Sequence, residues 1–461
     1  MRVAKGGGGA PSTAIETYIP SIIEANRLHD LRGGKNTIPI TGEGVTIAVV
    51  DTGYQSDEFL EFKTGNAPRI LAQYDAIIDN AISPSKNSDD SGHGTHVNSV
   101  MVSSGQAGGN YNGVAPDANL VIVKAFDENG VSTYLDVIRG LDWIIANKDT
   151  YNIRVVNLSF STPPQSYYWD DPLNQAVMTA WQQGIVVVAA AGNGGPEPMT
   201  IGVPGNVPYI ITVGAFSDNY TPYDDSDDFL TTFSAAGPTV EGFVKPELIA
   251  PGGHVLGLMK TNSTLAKTYP EFQVQDRYFT MSGTSQATAV VSGVAALMLQ
   301  HDPSLTPDDL KCRLMLTARP ALNEDSQGDE DGNGTLVYSI LQQGAGRVNA
   351  WDAVFSTESG CANQGMDIAL DLAGTAHYQG YVDKDENGNF YLVDQEGYLW
   401  NEGNFWAGGN FWAGGNFWAG GNFWAGGNFW AGGNFWAGTF VPDTDVAINS
   451  IVPINIWVPQ E

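Results

Sequence analysis

The central part of the chain alternates short apolar, β-branched runs with amphipathic stretches, and glycines and prolines separate them. The runs are nearly continuous in apolar residues, as expected for parallel strands that are buried on both faces of a sheet. The amphipathic stretches repeat their apolar residues every three or four positions, which is the helical period. The pattern predicts an α/β fold with a mostly parallel central sheet. The predicted strands are residues 45–50, 119–125, 154–158, 185–190 and 209–213, and the predicted helices are 134–147 and 174–182.

A third helix is predicted after Ser285, where small and apolar residues fill every position around the stretch 287–300. Such a helix has no polar face, so we expect it in the centre of the molecule. Another helix should begin at Pro307. Residues 323–335 predict a polar loop, and residues 344–354 predict a turn followed by the last helix of the main domain, which we end near Thr357.

The C-terminal part differs in kind, because residues 403–438 are six identical copies of GNFWAG without a charged residue. The even period lets an extended strand keep each Phe on one face and each Trp on the other. The copies could stack as a β-like solenoid, expose aromatic rings for self-association, or form a flexible Gly-rich spacer. The sequence thus divides into an N-terminal extension (1–40), a main domain (41–357), a small β-like segment (358–402), the repeat (403–438) and a C-terminal tail (439–461).

The composition narrows the classes of partner. The 461 residues include 51 Asp and Glu against 21 Lys and Arg, a formal net charge of −30, which argues against nucleic acid as a partner. The apolar runs are shorter than the roughly 18–20 residues that span a membrane, so no transmembrane segment is predicted. The first ten residues lack the apolar core of a signal peptide, so we interpret the chain as processed or trimmed.

The two cysteines, Cys312 and Cys361, leave two alternatives open. They could form a disulfide that closes a loop of about 50 residues, which would suit an oxidising compartment. Two unpaired buried thiols fit the sequence equally well.

Three short segments carry an acid, a base and a nucleophile. VVDTG places Asp51 at the end of a predicted strand, GHGTHV places His93 at the start of a helix, and SGTSQAT places Ser285 at the N-terminus of the buried helix. A serine hydroxyl is a weak nucleophile unless an imidazole takes its proton, and the imidazole needs a carboxylate to hold its tautomer. A fourth segment, AAAGNGG, carries the side-chain amide of Asn193, a donor suited to an oxyanion.

Together these segments resemble those of the subtilisin-like serine peptidases, the subtilases. The chain order Asp51, His93, Ser285 is the order of subtilisin. Supporting segments also fall in the family's order, namely GVAPDANLVIVKAF, VVNLSFS, VPGNVPYIITVGAF, FSAAGP and KPELIAPG. The resemblance covers about residues 41–354 and implies a three-layer subtilisin-like fold.

The resemblance also implies roles for the four residues. Asp51 would orient His93, His93 would act as general base and then general acid, and Ser285 would attack the scissile carbonyl. Asn193 and the backbone N–H of Ser285 would form the oxyanion hole. No cofactor would be needed for catalysis.

A substrate-binding edge and a pocket follow from the same resemblance. The substrate strand would pair with Ser159, Phe160 and Ser161, where this chain has SFST in place of the family's SLGG. The pocket for the side chain before the cut would be lined by Ala190, Gly192 and Gly202. With Gly202 at its base, this pocket resembles an open apolar one that accepts large side chains.

The implied function is an extracellular or cell-surface serine endopeptidase of broad specificity that cleaves proteins or peptides through an acyl-enzyme. One departure concerns the helix after Ser285, where Ala289 and Val290 replace the family's Pro and His, so we expect an unkinked or differently packed helix start. The alternative function is a self-assembling or adhesive surface protein in which the aromatic repeat is the functional part.

Rival interpretations of the same motifs are weaker. Asp51 in DTG and Asp90 in DSG imitate an aspartic-protease pair, but they are only 39 residues apart (90 − 51) and lack two-lobed spacing. His93 and His96 have H-x-x-H spacing without the glutamate of a zinc protease, so His96 is interpreted as a packed structural histidine. GTSQA resembles a hydrolase elbow, but there the acid and base follow the serine.

A calcium site is the remaining candidate. Asp383, Asp385 and Asn387, with Asp394 eleven residues after Asp383, fit the D-x-D-x-N-G pattern of a calcium loop with a carboxylate at position twelve. The alternative is a β-hairpin that turns at Asn387 and Gly388. Subtilases commonly bind structural calcium, which supports a site without locating it.

Overall fold

The structure is a computed structural model that describes residues 14–31, 38–323, 335–386, 388–393, 399–400, 451–453 and 458. The GNFWAG repeat lies outside these residues. So do Asn387 and Asp394 of the candidate calcium loop.

A nine-stranded sheet forms the centre of the molecule. The strands are β1 (Thr46–Asp51), β2 (Ile70–Asp75), β3 (Asn80–Ile82), β4 (Asn119–Lys124), β5 (Ile153–Leu158), β6 (Val186–Ala190), β7 (Ile211–Ser217), β8 (Phe229–Leu230) and β9 (Leu248–Pro251). In space they follow the order β8–β7–β6–β5–β1–β4–β2–β3, and β9 also pairs with β7. Every pair is parallel except β2–β3 and β7–β8.

The main helices are α1 (His93–Val102), α2 (Tyr134–Tyr151), α3 (Pro172–Gln182), α4 (Thr284–His301), α5 (Pro307–Leu316) and α6 (Ala350–Phe355). Helices α1 and α4 pack against each other in one layer, and α2 and α3 pack against each other in the other. Because helices cover both faces of the sheet, every residue of β1, β6 and β7 is buried. The predicted three-layer α/β fold is therefore confirmed.

Shorter elements connect and extend these layers. The short helices are Ile19–Ile22, Ala25–His29, Glu58–Glu61, Asp225–Asp227, Thr264–Thr268, Pro270–Phe272, Ile340–Gln343 and Ile368–Leu372. The short strands are Gln106–Ala107, Asn110–Tyr111, Val131–Thr133, Val255–Leu258, Gln273–Val274, Tyr278–Met281, Leu322–Asn323, Thr335–Leu336, Val382–Lys384, Phe390–Val393, Leu399–Trp400 and Ile451–Pro453.

Local capping explains where the predicted helices begin. Asp171 accepts hydrogen bonds from the backbone N–H groups of Leu173 and Asn174, so α3 begins at Pro172, two residues before the predicted start. Thr133 and Thr306 cap α2 and α5 in the same way. Apolar periodicity located these helices, whereas capping side chains set their first residues.

Helix α4 lies in the centre of the molecule, as predicted. Its residues from Thr284 to Leu299 are all buried. Ala289 and Val290 are fully buried, and the helix continues through them without interruption. Small side chains suit this position because α4 contacts α1 and the sheet strands β5, β6 and β7 at once.

The segments that flank the main domain also pack onto it. On the N-terminal side, Ile19, Ile23 and Leu28 belong to the main hydrophobic core. On the C-terminal side, Asp371 accepts hydrogen bonds from the hydroxyl groups of Tyr168 (2.6 Å) and Tyr209 (3.0 Å). None of the helices within the described ranges has the length and apolarity needed to cross a membrane.

The two cysteines are joined. Cys312 of α5 forms a disulfide with Cys361, with Cα atoms 5.2 Å apart. The bond links the end of the main domain to the segment that follows it, so the alternative of two free thiols is wrong.

Candidate active site

Asp51 and His93 meet at the carboxyl end of the central strand. His93 is the first residue of α1, and its Nδ1 lies 2.8 Å from Asp51 Oδ1 and 3.0 Å from Oδ2. Both residues are buried, with 1% and 2% of their surface exposed. Because a carboxylate can only accept, Nδ1 carries the proton and Nε2 keeps the basic lone pair.

Thr52 ties the two elements together around this pair. Its backbone N–H donates to Asp51 Oδ1 (2.7 Å), and its hydroxyl accepts from the backbone N–H of Gly94 (2.8 Å). The end of β1 and the start of α1 are thus held in a single arrangement. This contact fixes the orientation of His93 relative to Asp51.

Ser285 occupies the first turn of α4, where the helix dipole favours developing negative charge. Its Oγ donates to the backbone carbonyl of Ser159 (2.9 Å), and the hydroxyl of Ser159 donates in return to the carbonyl of Ser285 (2.9 Å). Ser159 follows β5, which is the neighbour of β1. This reciprocal pair anchors the start of α4 at the carboxyl end of the sheet.

A side-chain contact holds the starts of α1 and α4 side by side. Gln286, next to Ser285, places its Nε2 3.4 Å from Nδ1 of His96, one helical turn after His93. The Nε2 of His96 donates to the carbonyl oxygens of Val255 (3.2 Å) and Phe279 (3.0 Å). His96 is therefore a structural residue, as its spacing suggested.

Asn193 lies on the loop after β6, and its amide is oriented by Thr284. The Oδ1 of Asn193 accepts from both the backbone N–H (3.0 Å) and the hydroxyl (2.9 Å) of Thr284. A Cβ placed on Gly283 would lie 2.9 Å from Gln286 Oε1, 3.2 Å from Asn193 Nδ2 and 3.8 Å from the backbone N of Ser285. The two nitrogen atoms that the sequence predicted as oxyanion donors therefore both lie near Gly283.

Thr284 is the functional residue that sequence reasoning missed. Besides orienting Asn193, its hydroxyl accepts from the backbone N–H of Gly192 (3.2 Å). The only available signal was its position directly before Ser285 in SGTSQAT. Its contacts are with residues about 90 positions earlier in the chain, and sequence spacing does not reveal them.

The candidate pocket beside Asn193 is formed by Ser161, Gly192 and Gly202. The hydroxyl of Ser161 lies so close to Gly202 that a Cβ there would overlap it, and a Cβ on Gly192 would lie 2.7 Å from the same oxygen. The Ser161 hydroxyl therefore lies over Gly202, and the open apolar pocket expected there stays a prediction. Both glycines allow this close approach.

The other candidate subsite residues are buried. Ala190 is the last residue of β6. Phe160 is fully buried, and its ring packs on that of Phe126 with centroids 5.1 Å apart. The Phe160 ring is therefore part of the core, and only its backbone can serve the predicted substrate edge.

The candidate metal ligands give a different result. Val382–Lys384 and Phe390–Val393 form an antiparallel hairpin, as the alternative interpretation proposed. Asp385 accepts from the backbone and side-chain amides of Asn389, and Asp383 accepts from the hydroxyl of Tyr391 (2.9 Å). Across the described ranges no group of three or more His, Cys, Asp or Glu could hold a metal ion. Since Asn387 and Asp394 lie outside these ranges, calcium binding by the full set stays a prediction.

The comparison with known families decides the classification. A model of the subtilase family matches residues 42–339, more than half of the chain. The chain belongs to the subtilase family. It is a subtilisin-like serine endopeptidase, and subtilases need no cofactor for catalysis.

Individual relatives agree with this classification. This subtilase is 41% identical over 326 residues to serine protease AprX of Bacillus subtilis (strain 168), covering 69% of this chain and 68% of AprX. It is 32% identical over 279 residues to subtilisin DY of Bacillus licheniformis, covering 60% and 84% of the two chains. The solved structure of the CspB protease of Clostridium perfringens is similar in fold, with a TM-score of 0.56, 18% identity and coverage of 72% and 96%.

The pKa of His96 generates a testable prediction. Burial lowers the pKa of His96 from 6.5 to about 4. The unfolded chain therefore binds a proton at this residue below about pH 6.5, whereas the folded subtilase does not. The contribution of neutral His96 to the free energy of unfolding is therefore complete above pH 6.5 and is lost as the pH falls towards 4. NMR of imidazole-labelled protein should show no titration of His96 between pH 8 and 5, and a midpoint near 6.5 would contradict the buried, neutral assignment.

Proposed function

We propose that this subtilase hydrolyses peptide bonds in proteins with Asp51, His93 and Ser285 as its catalytic triad. The proposal rests chiefly on the buried hydrogen bond between Asp51 and His93, which leaves His93 Nε2 basic beside the helix start that carries Ser285. A buried carboxylate in this position stabilises the imidazolium that forms when the imidazole takes a proton.

The first half of the reaction forms an acyl-enzyme. The hydroxyl of Ser285 leaves the carbonyl of Ser159, transfers its proton to His93 Nε2, and its Oγ attacks the scissile carbonyl carbon. The oxyanion accepts hydrogen bonds from Asn193 Nδ2 and the backbone N–H of Ser285. The C–N bond then breaks as His93 donates the proton to the leaving amine.

The second half regenerates the enzyme. Water takes the place of the leaving amine, gives a proton to His93, and attacks the ester carbonyl of the acylated Ser285. The same two N–H donors stabilise the second oxyanion. When the C–O bond to Ser285 breaks, the proton returns from His93 to Oγ and the carboxylic acid product leaves.

Side-chain preference before the cut follows from the hydroxyl of Ser161. Because this oxygen occupies the space over Gly202, a large ring would have to displace it and bury it without a partner. We therefore propose broad cleavage that favours small or polar side chains before the cut. The sequence instead predicted a preference for large apolar residues, and variants of Ser161 distinguish the two preferences.

The Cys312–Cys361 disulfide supports an oxidising, extracellular location, because such bonds persist mainly outside the reducing cytosol. Retention at a cell surface and self-association through the GNFWAG repeat stay predictions, since the repeat lies outside the described residues.

Substitution of Ser285 tests the triad. Ser285→Ala should lower kcat on a peptide anilide by about 10⁵-fold or more, because no nucleophile remains, and a sulfonyl fluoride should label the wild type but not the variant. Ser292→Ala is the matched control, since Ser292 is a buried serine of the same helix that bonds Asn157 instead. Equal turnover by Ser285→Ala and the wild type would refute the proposed nucleophile.

Substitution of Asn193 tests the oxyanion hole. Asn193→Ala should lower kcat by about 10²- to 10³-fold with little change in KM, because the donor acts mainly on the transition state. Steady-state kinetics on the same anilide measure both constants. A rise in KM at unchanged kcat would instead indicate a role in ground-state binding.

Substitution of Ser161 tests the pocket. Ser161→Gly should raise kcat/KM for a substrate with phenylalanine before the cut by about tenfold relative to one with alanine, because the space over Gly202 opens. Ser161→Val should lower the ratio of kcat/KM for the phenylalanine substrate to that for the alanine substrate. If neither variant changes the ratio, Ser161 does not limit the pocket.

A further inference from the structure

The C-terminal tail returns to the catalytic domain as a strand. Ile451–Pro453 pairs antiparallel with Val131–Thr133, so that Val452 lies opposite Ser132. Val452 is fully buried, whereas Ile451 is 64% exposed, which is the alternation of a strand with one face against the protein. Val458 is also buried in the main core. The tail is thus anchored on the domain by backbone pairing and by two apolar side chains.

The strand that receives the tail lies one tight turn from Asp51. The backbone N–H groups of Ala125 and Phe126 donate to the carbonyl of Asp51 at 2.9 and 3.3 Å. The chain then turns at once, because Asp127 and Val131 are joined by two hydrogen bonds, one in each direction. The edge that takes the tail therefore follows, after one turn, the residues that bond the backbone of Asp51.

The same edge is tied to the segment that holds Ser285. Phe126 packs its ring on that of Phe160, next to Ser159. The carbonyl of Ser159 is the acceptor of the Ser285 hydroxyl. The residues that lead into the turn before Val131–Thr133 therefore contact the segment after β5, whose first residue accepts the hydrogen bond of the Ser285 hydroxyl.

We infer that residues 451–453 occupy a second edge, Val131–Thr133, opposite the predicted substrate-binding segment 159–161, so that an extended substrate bound between the two edges competes with the tail and the tail is an intramolecular competitive inhibitor. This inference rests on the proposed function. Backbone pairing to an exposed edge is the usual way in which an extended peptide is bound, with alternate side chains entering pockets. Val452 is the side chain that enters the protein here.

The composition and attachment of the tail fit this role. Residues 449–461 contain one charged residue, Glu461, and are rich in Ile and Val, which favour extended structure. Because the tail belongs to the same chain, its pairing with the domain is intramolecular, so a weak contact suffices to hold it. A longer or better-fitting substrate displaces it.

Two substitutions in the full-length chain test the inference. Val452→Asp places a charge in the buried position and should release the tail, whereas Ile451→Asp changes the adjacent exposed side chain and should leave it docked. For a peptide with four residues before the cut, Val452→Asp should raise kcat/KM about fivefold or more through a lower KM, and Ile451→Asp should stay within about twofold of wild type. Val452→Ala is the milder variant if the aspartate prevents folding, with a smaller change in the same direction.

Addition of the tail as a free peptide completes the test. A peptide with the sequence of residues 449–458 should inhibit Val452→Asp competitively, raising KM at unchanged kcat, and a scrambled peptide should not. Equal kcat/KM for wild type, Val452→Asp and Val452→Ala, each labelled at Ser285 by a sulfonyl fluoride, would overturn the inference. Equal activation by Ile451→Asp would also overturn it.

A failure of the proposed function gives a different result. If no variant hydrolyses any peptide, the triad proposal fails, and docking is judged by binding of the fluorescently labelled 449–458 peptide. Binding to Val452→Asp but not to wild type would support a displaceable tail without catalysis. Binding to neither protein would overturn the inference independently of activity.

Discussion

The site depends on one geometric constraint, which is that parallel strands bring their carboxyl ends to the same edge of a sheet. β5 lies between β1 and β6 in the sheet. β1 ends at Asp51, β5 ends at the residue before Ser159, and β6 ends two residues before Gly192. Residues more than 100 positions apart in the chain therefore meet without any local sequence signal. The helices α1 and α4 then present their N-termini at this edge and add His93 and Ser285.

Close packing fixes the orientation of the side chains that meet at this edge. Asp51 and His93 are almost fully buried, so their hydrogen bond acts in a medium of low dielectric constant, where orientation matters more than it does in water. Thr52, Thr284 and the carbonyl of Ser159 hold the reacting groups through backbone and hydroxyl contacts. These three groups take no part in the proposed reaction. Each restricts the orientation of a neighbouring side chain.

Three further contacts lie outside the central sheet and leave the arrangement of Asp51 and His93 unchanged. The Ser161 hydroxyl fills the space over Gly202, the disulfide ties the end of the domain to Cys361, and the tail pairs with Val131–Thr133. Each of these contacts joins residues that lie far apart in sequence. Each also lies where a polypeptide would approach or where the chain after the domain is anchored.

The sequence alone determined the family, the α/β class and five of the nine main-sheet strands, and it predicted the pairing of Asp51 with His93. It could do so because all of these signals are local. Strands and helices show in periods of two to four residues, and a motif such as SGTSQAT is a short continuous segment. Four strands were missed. The apolar pattern of β2 and β3 is interrupted by exposed residues near the sheet edge, and β8 and β9 are only two and four residues long.

Only the tertiary structure decided the pairing of Cys312 with Cys361, the approach of the Ser161 hydroxyl to Gly202 and the pairing of Val452 with Ser132. Each depends on how closely two backbones that are distant in sequence approach each other. That distance is set by packing of the whole core, and short-range spacing along the chain does not encode it.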